Sequence, residues 1–160
     1  MKLTVREIQT SDNAEIARVI RQVFVSDDLP KTGTAFADAN LDSLFEVYNK
    51  PNAIYFVVEN QTKIVGGCGI APLENCPENI CELQKMYFLA EARGTGMATE
   101  LLQLCLQKAT QMKFECCYLE TLPQMIAAQK LYKKFGFDYI NHPMGQTGHF
   151  TCPVWMLKKL

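Results

Sequence analysis

The residues best suited to chemistry lie in one stretch, from Glu82 to Ala98 (ELQKMYFLAEARGTGMA), where a strand pattern leads through a short loop into a helix start. The first N–H groups of a helix have no partner within it, and the helix dipole adds positive potential there. Gly94 and Gly96 carry no side chain that would keep a diphosphate from the backbone, and Arg93 brings a positive charge beside them. The stretch therefore predicts a site for a phosphate-bearing ligand.

Two known phosphate-binding motifs fit this stretch less well. A P-loop ends in Gly-Lys-Ser or Gly-Lys-Thr, whereas Gly96 is followed by Met97 and Ala98. A dinucleotide-binding fingerprint matches Gly94-x-Gly96 loosely, and Glu115 lies near the place of a ribose-binding acid. That fingerprint normally opens a parallel sheet, but here it follows a predicted antiparallel hairpin in mid-chain. Dinucleotide binding is therefore the weaker interpretation.

The elements that must position this stretch are strands and helices along the whole chain. The patterns predict strands over residues 2–8, 53–58, 63–71, 80–89, 115–121, 137–141 and 150–157. They predict helices that begin at Ser11-Asp12, near Phe36 and near Gly94, and a fourth with Pro123 in its first turn. Since we find no repeat or linker, we expect residues 1–160 to form one α/β domain with a mixed sheet.

Local signals mark the ends of the predicted helices. Ser11-Asp12 with Glu15 has the pattern of a capping box at the start of the first helix. The second helix is expected over residues 36–48. Gly136 suits the left-handed position that ends the fourth helix.

Composition narrows the class of protein. Sixteen basic and seventeen acidic residues leave a net charge of −1, and 48% of the residues are apolar. This balance favours a folded domain over a disordered chain, and it lacks the basic surplus of a general nucleic-acid binder. The start MKLTVREIQTSD lacks the apolar core of a signal peptide, and no apolar run approaches the ~20 residues of a membrane span. We expect a cytoplasmic protein with neither nucleic-acid nor membrane partners.

The cysteines predict reduced thiols. Their number, seven, is odd, and no C-x-x-C pair occurs, which argues against a disulfide framework and against a zinc site. Cys105 falls on the apolar face of a predicted helix, and Cys116 and Cys117 fall in a predicted strand. We therefore expect these three to be small apolar residues of the core and expect no metal.

Two motifs together resemble the GNAT superfamily of N-acetyltransferases, in particular its small bacterial members. The signature R/Q-x-x-G-x-G/A is present as Arg93-x-x-Gly96-x-Ala98, after the strand Glu-Leu-x-x-Met-Tyr-Phe. Downstream, residues 128–137 match the segment A-x-x-L-Y-x-K-x-G-F. The resemblance covers nearly the whole chain. It implies a single-domain α/β GNAT fold, with a mixed, mostly antiparallel, splayed sheet of about seven strands flanked by about four helices.

The resemblance also implies a cofactor and the residues that bind it. Acetyl-CoA would be the acetyl donor, with its pantetheine arm paired to backbone groups near Met86 and Phe88. The N–H of Phe88 would stabilise the charge that develops on the thioester oxygen. The diphosphate would lie on the N–H groups of Arg93, Gly94, Thr95, Gly96, Met97 and Ala98.

Catalytic residues are carried over in the same way. Tyr132 matches the family's tyrosine near the sulfur, so it is the predicted general acid; the alternative is a core aromatic. Glu82 is the predicted general base, acting directly or through water, although it could instead be solvated or paired with Lys85. Glu120 is the second choice for the base and His149 the third.

One position departs from the family pattern. Many members have an asparagine where this chain has Met125, and a thioether cannot donate a hydrogen bond to the cofactor arm. Cofactor affinity is then lower, or Gln124 or Gln129 takes over the role.

The predicted function is transfer of the acetyl group from acetyl-CoA to a primary amine of a small molecule or peptide, by direct attack on the thioester. The alternative is a non-catalytic acyl-CoA-binding or sensing protein. The loops at residues 26–35 and 141–147 are expected to select the acceptor, although they carry no readable code. The number of subunits is left open, with a homodimer as one option.

Overall fold

A computed structural model describes residues 2–160, which form seven strands and four α-helices. In chain order these are β1 (Leu3–Glu7), α1 (Asn13–Ser26), α2 (Leu44–Tyr48), β2 (Ile54–Asn60), β3 (Lys63–Pro72), β4 (Ile80–Phe88), α3 (Met97–Gln111), β5 (Cys116–Thr121), α4 (Ile126–Lys134), β6 (Asp138–Ile140) and β7 (Val154–Lys159). The sheet order is β1-β2-β3-β4-β5-β7-β6. Only the β4–β5 pair is parallel within the described chain. The predicted mixed, mostly antiparallel sheet is confirmed.

The sheet opens between its two parallel strands. β4 and β5 pair only where residues 80–82 lie beside residues 116–118. Past this point β4 carries a bulge, at which Lys85 adopts a positive φ of 51° and the register with β3 shifts between Gly67 and Gly69. The hydroxyl of Tyr55 donates to the carbonyl of Lys85 at 2.8 Å and holds the bulge. The predicted splay is therefore present, and it leaves one edge of β4 without a partner strand.

Two apolar cores cover the faces of the sheet. On one face α1 buries Ile16, Ile20 and Phe24 without solvent exposure. On the other, α3 buries Leu101, Leu102 and Cys105. Full burial of one large aliphatic or aromatic side chain contributes about 1.5–3 kcal/mol, so these helices are held by packing.

The cysteines are free thiols, as predicted. Cys105 and Cys117 are buried in the core, and Cys116 is half-buried. Within residues 2–160 no group of three or more His, Cys, Asp or Glu side chains is placed to hold a metal ion. In the same residues, no helix is both long enough and apolar enough to span a bilayer.

The predicted capping box at the start of the first helix is wrong. Residues 10–12 form a 3₁₀ turn, and α1 begins at Asn13. The Asp12 carboxylate accepts the N–H of Gln9 at 2.7 Å and pairs with Arg6 at the same distance. Glu15 accepts the N–H of Ile64 on β3 instead of closing the box. The capping box that forms is therefore that of the 3₁₀ turn, between Gln9 and Asp12, and the contact with β3 takes only Glu15 from the predicted one.

The predicted helix over residues 36–48 is also wrong in extent. Only α2 is α-helical, and 3₁₀ turns at Ala35–Ala37 and Leu41–Ser43 precede it. Between those turns Asp38 takes an extended backbone with ψ of 127°. Its side chain is held by residues from distant segments, as described below, and this tertiary contact outweighs local helix propensity.

Two boundaries near the carboxyl end shift. Pro123 precedes α4, which begins at Ile126, so it is outside the first turn. The last strand begins at Val154, and residues 150–153 form an irregular segment after the 141–149 loop. The end of α4 is as predicted, since Gly136 has the left-handed φ of 91°.

Candidate active site

The first part of the site is a cleft of about 400 Å³ between the end of β4, the start of α3 and the start of α4. We call it the main cleft; it is lined by Val23, Asp27, Met86, Tyr87, Phe88, Ala92, Arg93, Gly94, Gly96, Ala98, Thr99, Gln124, Met125, Ile126, Ala127, Ala128 and Leu131. Most residues predicted to bind a cofactor are thus brought together. Thr95 and Met97 are not among the lining residues, because the Thr95 hydroxyl turns back to Ala92 and Met97 packs on the core.

Backbone N–H groups at the start of α3 are free to bind an anion. The first helical hydrogen bond runs from the N–H of Glu100 to the carbonyl of Gly96 at 3.0 Å, so residues 94–99 precede it. Arg93 does not join them as predicted, since its N–H donates to Ala90 at 3.2 Å in the preceding turn. Sequence reasoning also missed Thr99, whose N–H falls in the first turn of α3. The N–H run is therefore residues 94–99, the 94–99 turn.

The two glycines of the turn suit the close approach of a ligand. Gly94 and Gly96 have φ values of 71° and 90°, and a Cβ added at either would meet no heavy atom within 4 Å. The space above them is open and belongs to the main cleft. A diphosphate with unshielded access to consecutive N–H groups fits this turn.

The side chain of Arg93 has a different role from the predicted one. Its guanidinium binds both carboxylate oxygens of Asp27, at 3.2 and 2.7 Å, and its Nε donates to the carbonyl of Phe88 at 3.0 Å. The positive charge is therefore compensated within the protein. Arg93 ties the 94–99 turn to the end of β4 and to the end of α1.

The free edge of β4 faces the main cleft. Leu89 donates its N–H to Val65 of β3 at 2.8 Å. Because successive residues of a strand turn their N–H groups to opposite sides, Phe88 presents its backbone to the other edge, where its carbonyl accepts from Arg93. An extended ligand can pair with this edge as an added strand.

A narrow cavity of about 40 Å³ continues the main cleft into the opening between β4 and β5. This slot is lined by Leu83, Lys85, Met86, Tyr87, Leu119, Glu120, Thr121, Leu122, Met125, Tyr132 and Cys152. It shares Met86, Tyr87 and Met125 with the main cleft. The slot therefore lies beside the main cleft and shares part of its wall.

Tyr132 lines the slot. Its side chain is only 6% exposed, and its ring packs edge-on against Phe137 at 5.8 Å. Its hydroxyl makes no hydrogen bond within residues 2–160, and since no fully buried polar side-chain atom there lacks a partner, the hydroxyl oxygen must be accessible. Burial raises the pKa of Tyr132 well above its ordinary value, so the phenol is protonated at neutral pH.

A third cavity of about 410 Å³ lies on the far side of the slot. This outer cavity is lined by Glu120, Pro143, Met144, Gly145, Gln146, Thr147, Gly148, His149, Phe150, Cys152 and Trp155. It shares Glu120 and Cys152 with the slot. The main cleft, the slot and the outer cavity thus form one row, and the predicted 141–147 loop forms part of the outer wall.

Glu82 lies buried beside this row and does not line the slot. Its side chain accepts the amide of Gln84 at 2.5 Å, and Tyr48 donates to that amide's oxygen at 2.7 Å. Burial raises the pKa of Glu82 to about 7, and the charge of Glu120 adds to the rise, against the opposing effect of Gln84. The pKa of Glu82 is therefore moved toward neutral pH.

Asp38 holds the two basic groups of the site. Its carboxylate lies 2.7 Å from Lys85 Nζ and 2.7 Å from His149 Nε2. Lys85 thus pairs with Asp38 and not with Glu82. Burial lowers the pKa of His149, but the bond and charge of Asp38 outweigh this effect and the net pKa is raised. Asp38 thus favours the charged form of His149, and it is a site residue that sequence reasoning missed.

The two glutamines differ in how well they can replace the missing asparagine. Gln129 donates to the carbonyls of Leu122 and Pro123 at 2.9 and 3.3 Å and accepts from Tyr139 at 2.8 Å, so it braces the turn before α4. Gln124 is exposed and lines the main cleft beside Met125. Of the two, only Gln124 has a free side chain at the cleft.

Known proteins and a known family are similar to this chain in sequence. The profile of the acetyltransferase (GNAT) family matches residues 19–137. The uncharacterized N-acetyltransferase YjgM of Escherichia coli K12 is 46% identical over 156 residues, which cover 97% of this chain and 93% of YjgM. The uncharacterized N-acetyltransferase C1271.07c of Schizosaccharomyces pombe is 27% identical over 67% of this chain and 68% of its own.

Solved structures share the architecture. A GNAT-family acetyltransferase of Staphylococcus aureus superposes with a TM-score of 0.80 at 20% identity, with 99% of each chain covered. YncA of Salmonella typhimurium, solved with acetyl-CoA, superposes with a TM-score of 0.78 at 17% identity, covering 99% of this chain and 94% of that one. At these identities the likeness establishes a common fold.

Proposed function

The chain belongs to the GNAT family of acetyltransferases, and from that premise we propose how its three cavities divide the reaction. It is an N-acetyltransferase whose donor is acetyl-CoA. The donor binds in the main cleft, a primary amine of a small molecule or peptide enters from the outer cavity, and the two meet in the slot. The observation that supports this division is that the slot shares lining residues with the main cleft on one side and with the outer cavity on the other, and that Tyr132 lines the slot.

The residues of the main cleft suit each portion of the donor. The 94–99 turn offers N–H groups for the diphosphate, and the free edge of β4 at Met86 and Phe88 offers backbone groups for the pantetheine arm. Ala128 and Leu131, half-buried on α4, supply an apolar wall. Gln124 is the side chain placed to donate a hydrogen bond next to Met125.

Replacement of Gly96 by valine is expected to raise the dissociation constant for acetyl-CoA by roughly 10-fold or more, as one lost charge-assisted hydrogen bond would. The new side chain would enter the open space above the turn, where the diphosphate must approach. Isothermal titration measures the effect.

Gly148→Val is the matched control for this substitution. Gly148 has a similar φ of 79° and a Cβ there also meets nothing within 4 Å, but it lies in the outer cavity. Both variants place a valine at a left-handed φ, and only Gly96→Val should weaken acetyl-CoA binding. Equal affinities in the two variants would remove the 94–99 turn from the binding site.

Acetyl transfer then needs a stabilised carbonyl oxygen, an acid and a base. The thioester of acetyl-CoA supplies the activated acetyl group. The N–H of Phe88, on the free edge, stabilises the negative charge that develops on the carbonyl oxygen. As the amine nitrogen bonds to the carbonyl carbon and the C–S bond breaks, Tyr132 donates its proton to the departing thiolate.

Glu82 receives the proton that the amine loses. Because it does not line the slot, a water molecule must connect it to the acceptor. A pKa of about 7 matches a base that works at neutral pH. The carboxylate of Glu120, which does line the slot, is the alternative base, and its assignment is tested below.

The predicted cytoplasmic location is kept as part of this proposal. It is supported by the free thiols, among which Cys105 donates a hydrogen bond to the sulfur of Cys68 at 3.8 Å and forms no disulfide with it. Reduced pairs of this kind persist in a reducing compartment.

A further inference from the structure

The charges that line the slot and the outer cavity are unevenly compensated. Lys85 and His149 both direct their nitrogen atoms to Asp38, at 2.7 Å each. The Lys85 side chain is only 8% exposed, so its ammonium is buried within this cluster. The positive groups of the site are therefore engaged inside the protein and are not available for an anionic part of an acceptor.

Glu120 has no such compensation. Its Oε2 accepts from the hydroxyl of Tyr118 at 2.9 Å, and its Oε1 accepts from the hydroxyl of Thr147. Both donors are neutral, and within residues 2–160 no basic group lies within ion-pair distance. An ionised carboxylate has about four acceptor positions, so two fixed donors leave room for a ligand. The carboxylate is therefore held in place by two neutral donors and is partly unbonded.

Tyr132 is the reference point for the position of Glu120, because both residues line the slot. Tyr132 is more than nine-tenths buried, and its unpartnered hydroxyl lines the same slot. Glu120 lines the slot and also the outer cavity, so it lies on the side from which the acceptor enters. A group bound to Glu120 would therefore belong to the acceptor and not to the donor.

The surroundings of Glu120 combine negative potential with apolar surface. Burial, followed by the charges of Glu120, Glu82 and Asp38, raises the pKa of Cys152 to about 12. The outer cavity also presents Met144, Trp155 and Phe150, of which Phe150 is 80% exposed. Aromatic and thioether side chains suit methylene groups and also a cation.

On the basis of the proposed function, we infer that the acceptor is a diamine, or another amine with a second positive charge, and that Glu120 binds this second charge while the first amine is acetylated in the slot. The apolar wall of the outer cavity accommodates the carbon chain between the two nitrogens. An acceptor with a carboxylate at its far end would meet the uncompensated Glu120 and be repelled. Glu120 is thus a specificity-determining residue.

The test uses straight-chain diamines from diaminopropane to diaminohexane. Each is compared with the alkylamine and the amino acid of the same chain length, which carry a methyl group or a carboxylate at the far end. Release of the CoA thiol gives kcat/KM for each acceptor with the wild-type protein, Glu120→Gln and Glu115→Gln. Glu115→Gln is the matched control, because Glu115 is exposed just before β5, at its opposite end.

The wild-type protein is expected to prefer a diamine over the matched alkylamine by roughly 10- to 100-fold, as one charge-assisted hydrogen bond would give, and to disfavour the amino acid further. Glu120→Gln should lower that ratio to near unity, whereas Glu115→Gln should retain it. A wild-type protein without a preference for diamines would overturn the inference.

Two other outcomes also overturn it and are distinguishable. If Glu120→Gln lowers kcat/KM equally for diamine and alkylamine, the ratio is kept and Glu120 is the general base instead. If acetyl-CoA binds but no amine of any class releases CoA, the proposed function fails along with the inference.

Discussion

Tyr132→Phe is expected to lower kcat by roughly 10²- to 10⁴-fold, the usual contribution of a general acid. The substitution removes only the hydroxyl group, which makes no hydrogen bond within residues 2–160. The dissociation constant for acetyl-CoA should therefore change by less than about threefold, since no bond to the protein is lost. Single-turnover kinetics together with titration calorimetry separate the two quantities.

Tyr139→Phe is the control for this variant. Tyr139 is 53% exposed, and its hydroxyl donates to Gln129 at 2.8 Å, outside the slot. It should turn over at the wild-type rate. If Tyr132→Phe kept the wild-type kcat, the tyrosine would be a core aromatic and another group would protonate the thiolate.

Glu82→Gln is expected to lower the rate of acetyl transfer and to raise the stability of the fold. A general base works in its ionised form, so wild-type kcat/KM should rise as the pH increases through about 7, the pKa of Glu82. The glutamine variant should lose this rise and most of its rate at pH 8. A rise at the same pH in the variant would assign the base to another residue, with Glu120 the first to consider.

The same pKa shift predicts a gain in stability for Glu82→Gln. The folded chain keeps the Glu82 proton up to about pH 7, whereas the unfolded chain loses it near the ordinary value of 4.5. Between these values the folded state binds more protons, so wild-type stability falls as the pH rises through this window. Above it, the neutral glutamine should raise the free energy of unfolding by up to about 3 kcal/mol.

Urea denaturation at pH 4 and at pH 8 measures this effect. The variant and the wild type should have similar stability at the lower pH and differ at the higher one. Glu115→Gln, at an exposed position, should show no such divergence. A stability difference that is the same at both pH values would mean that ionisation of Glu82 does not destabilise the folded protein.

The sequence allowed the geometry of the 94–99 turn to be predicted because it is set locally. Gly94, Gly96 and the free N–H groups between them come from one continuous segment, and their conformation follows from residue type. The end of α4 at Gly136 was predictable for the same reason. The position of the cleft follows from the sheet opening, which the resemblance to the family implied.

The acceptor side was not predictable in the same way, because its contacts are non-local. Asp38 meets Lys85 and His149 from two segments that are distant in the chain, and the predicted helix through Asp38 breaks where those contacts form. No local pattern distinguishes Asp38 from Asp42 on the following turn, which pairs instead with Arg21 on the surface. Burial, and not residue type, separates them.

Arg93 shows a second limit of local reasoning. Its place beside the two glycines predicts a positive charge that binds the diphosphate, but Arg93 instead forms an ion pair with Asp27 at the end of α1. Only the packing of α1 against the end of β4 brings the two together. The anion site therefore depends on backbone N–H groups, which also explains why a chain with a net charge of −1 can hold a polyanionic donor.

The most direct measurement for this account is the release of CoA thiol from acetyl-CoA on addition of a primary amine, with the acetylated amine identified by mass spectrometry. We predict release that depends on the amine, with one acetylated nitrogen for each thiol, and that falls with Tyr132→Phe. Saturable binding of acetyl-CoA without amine-dependent release of thiol would contradict the account and would establish a non-catalytic acyl-CoA-binding protein.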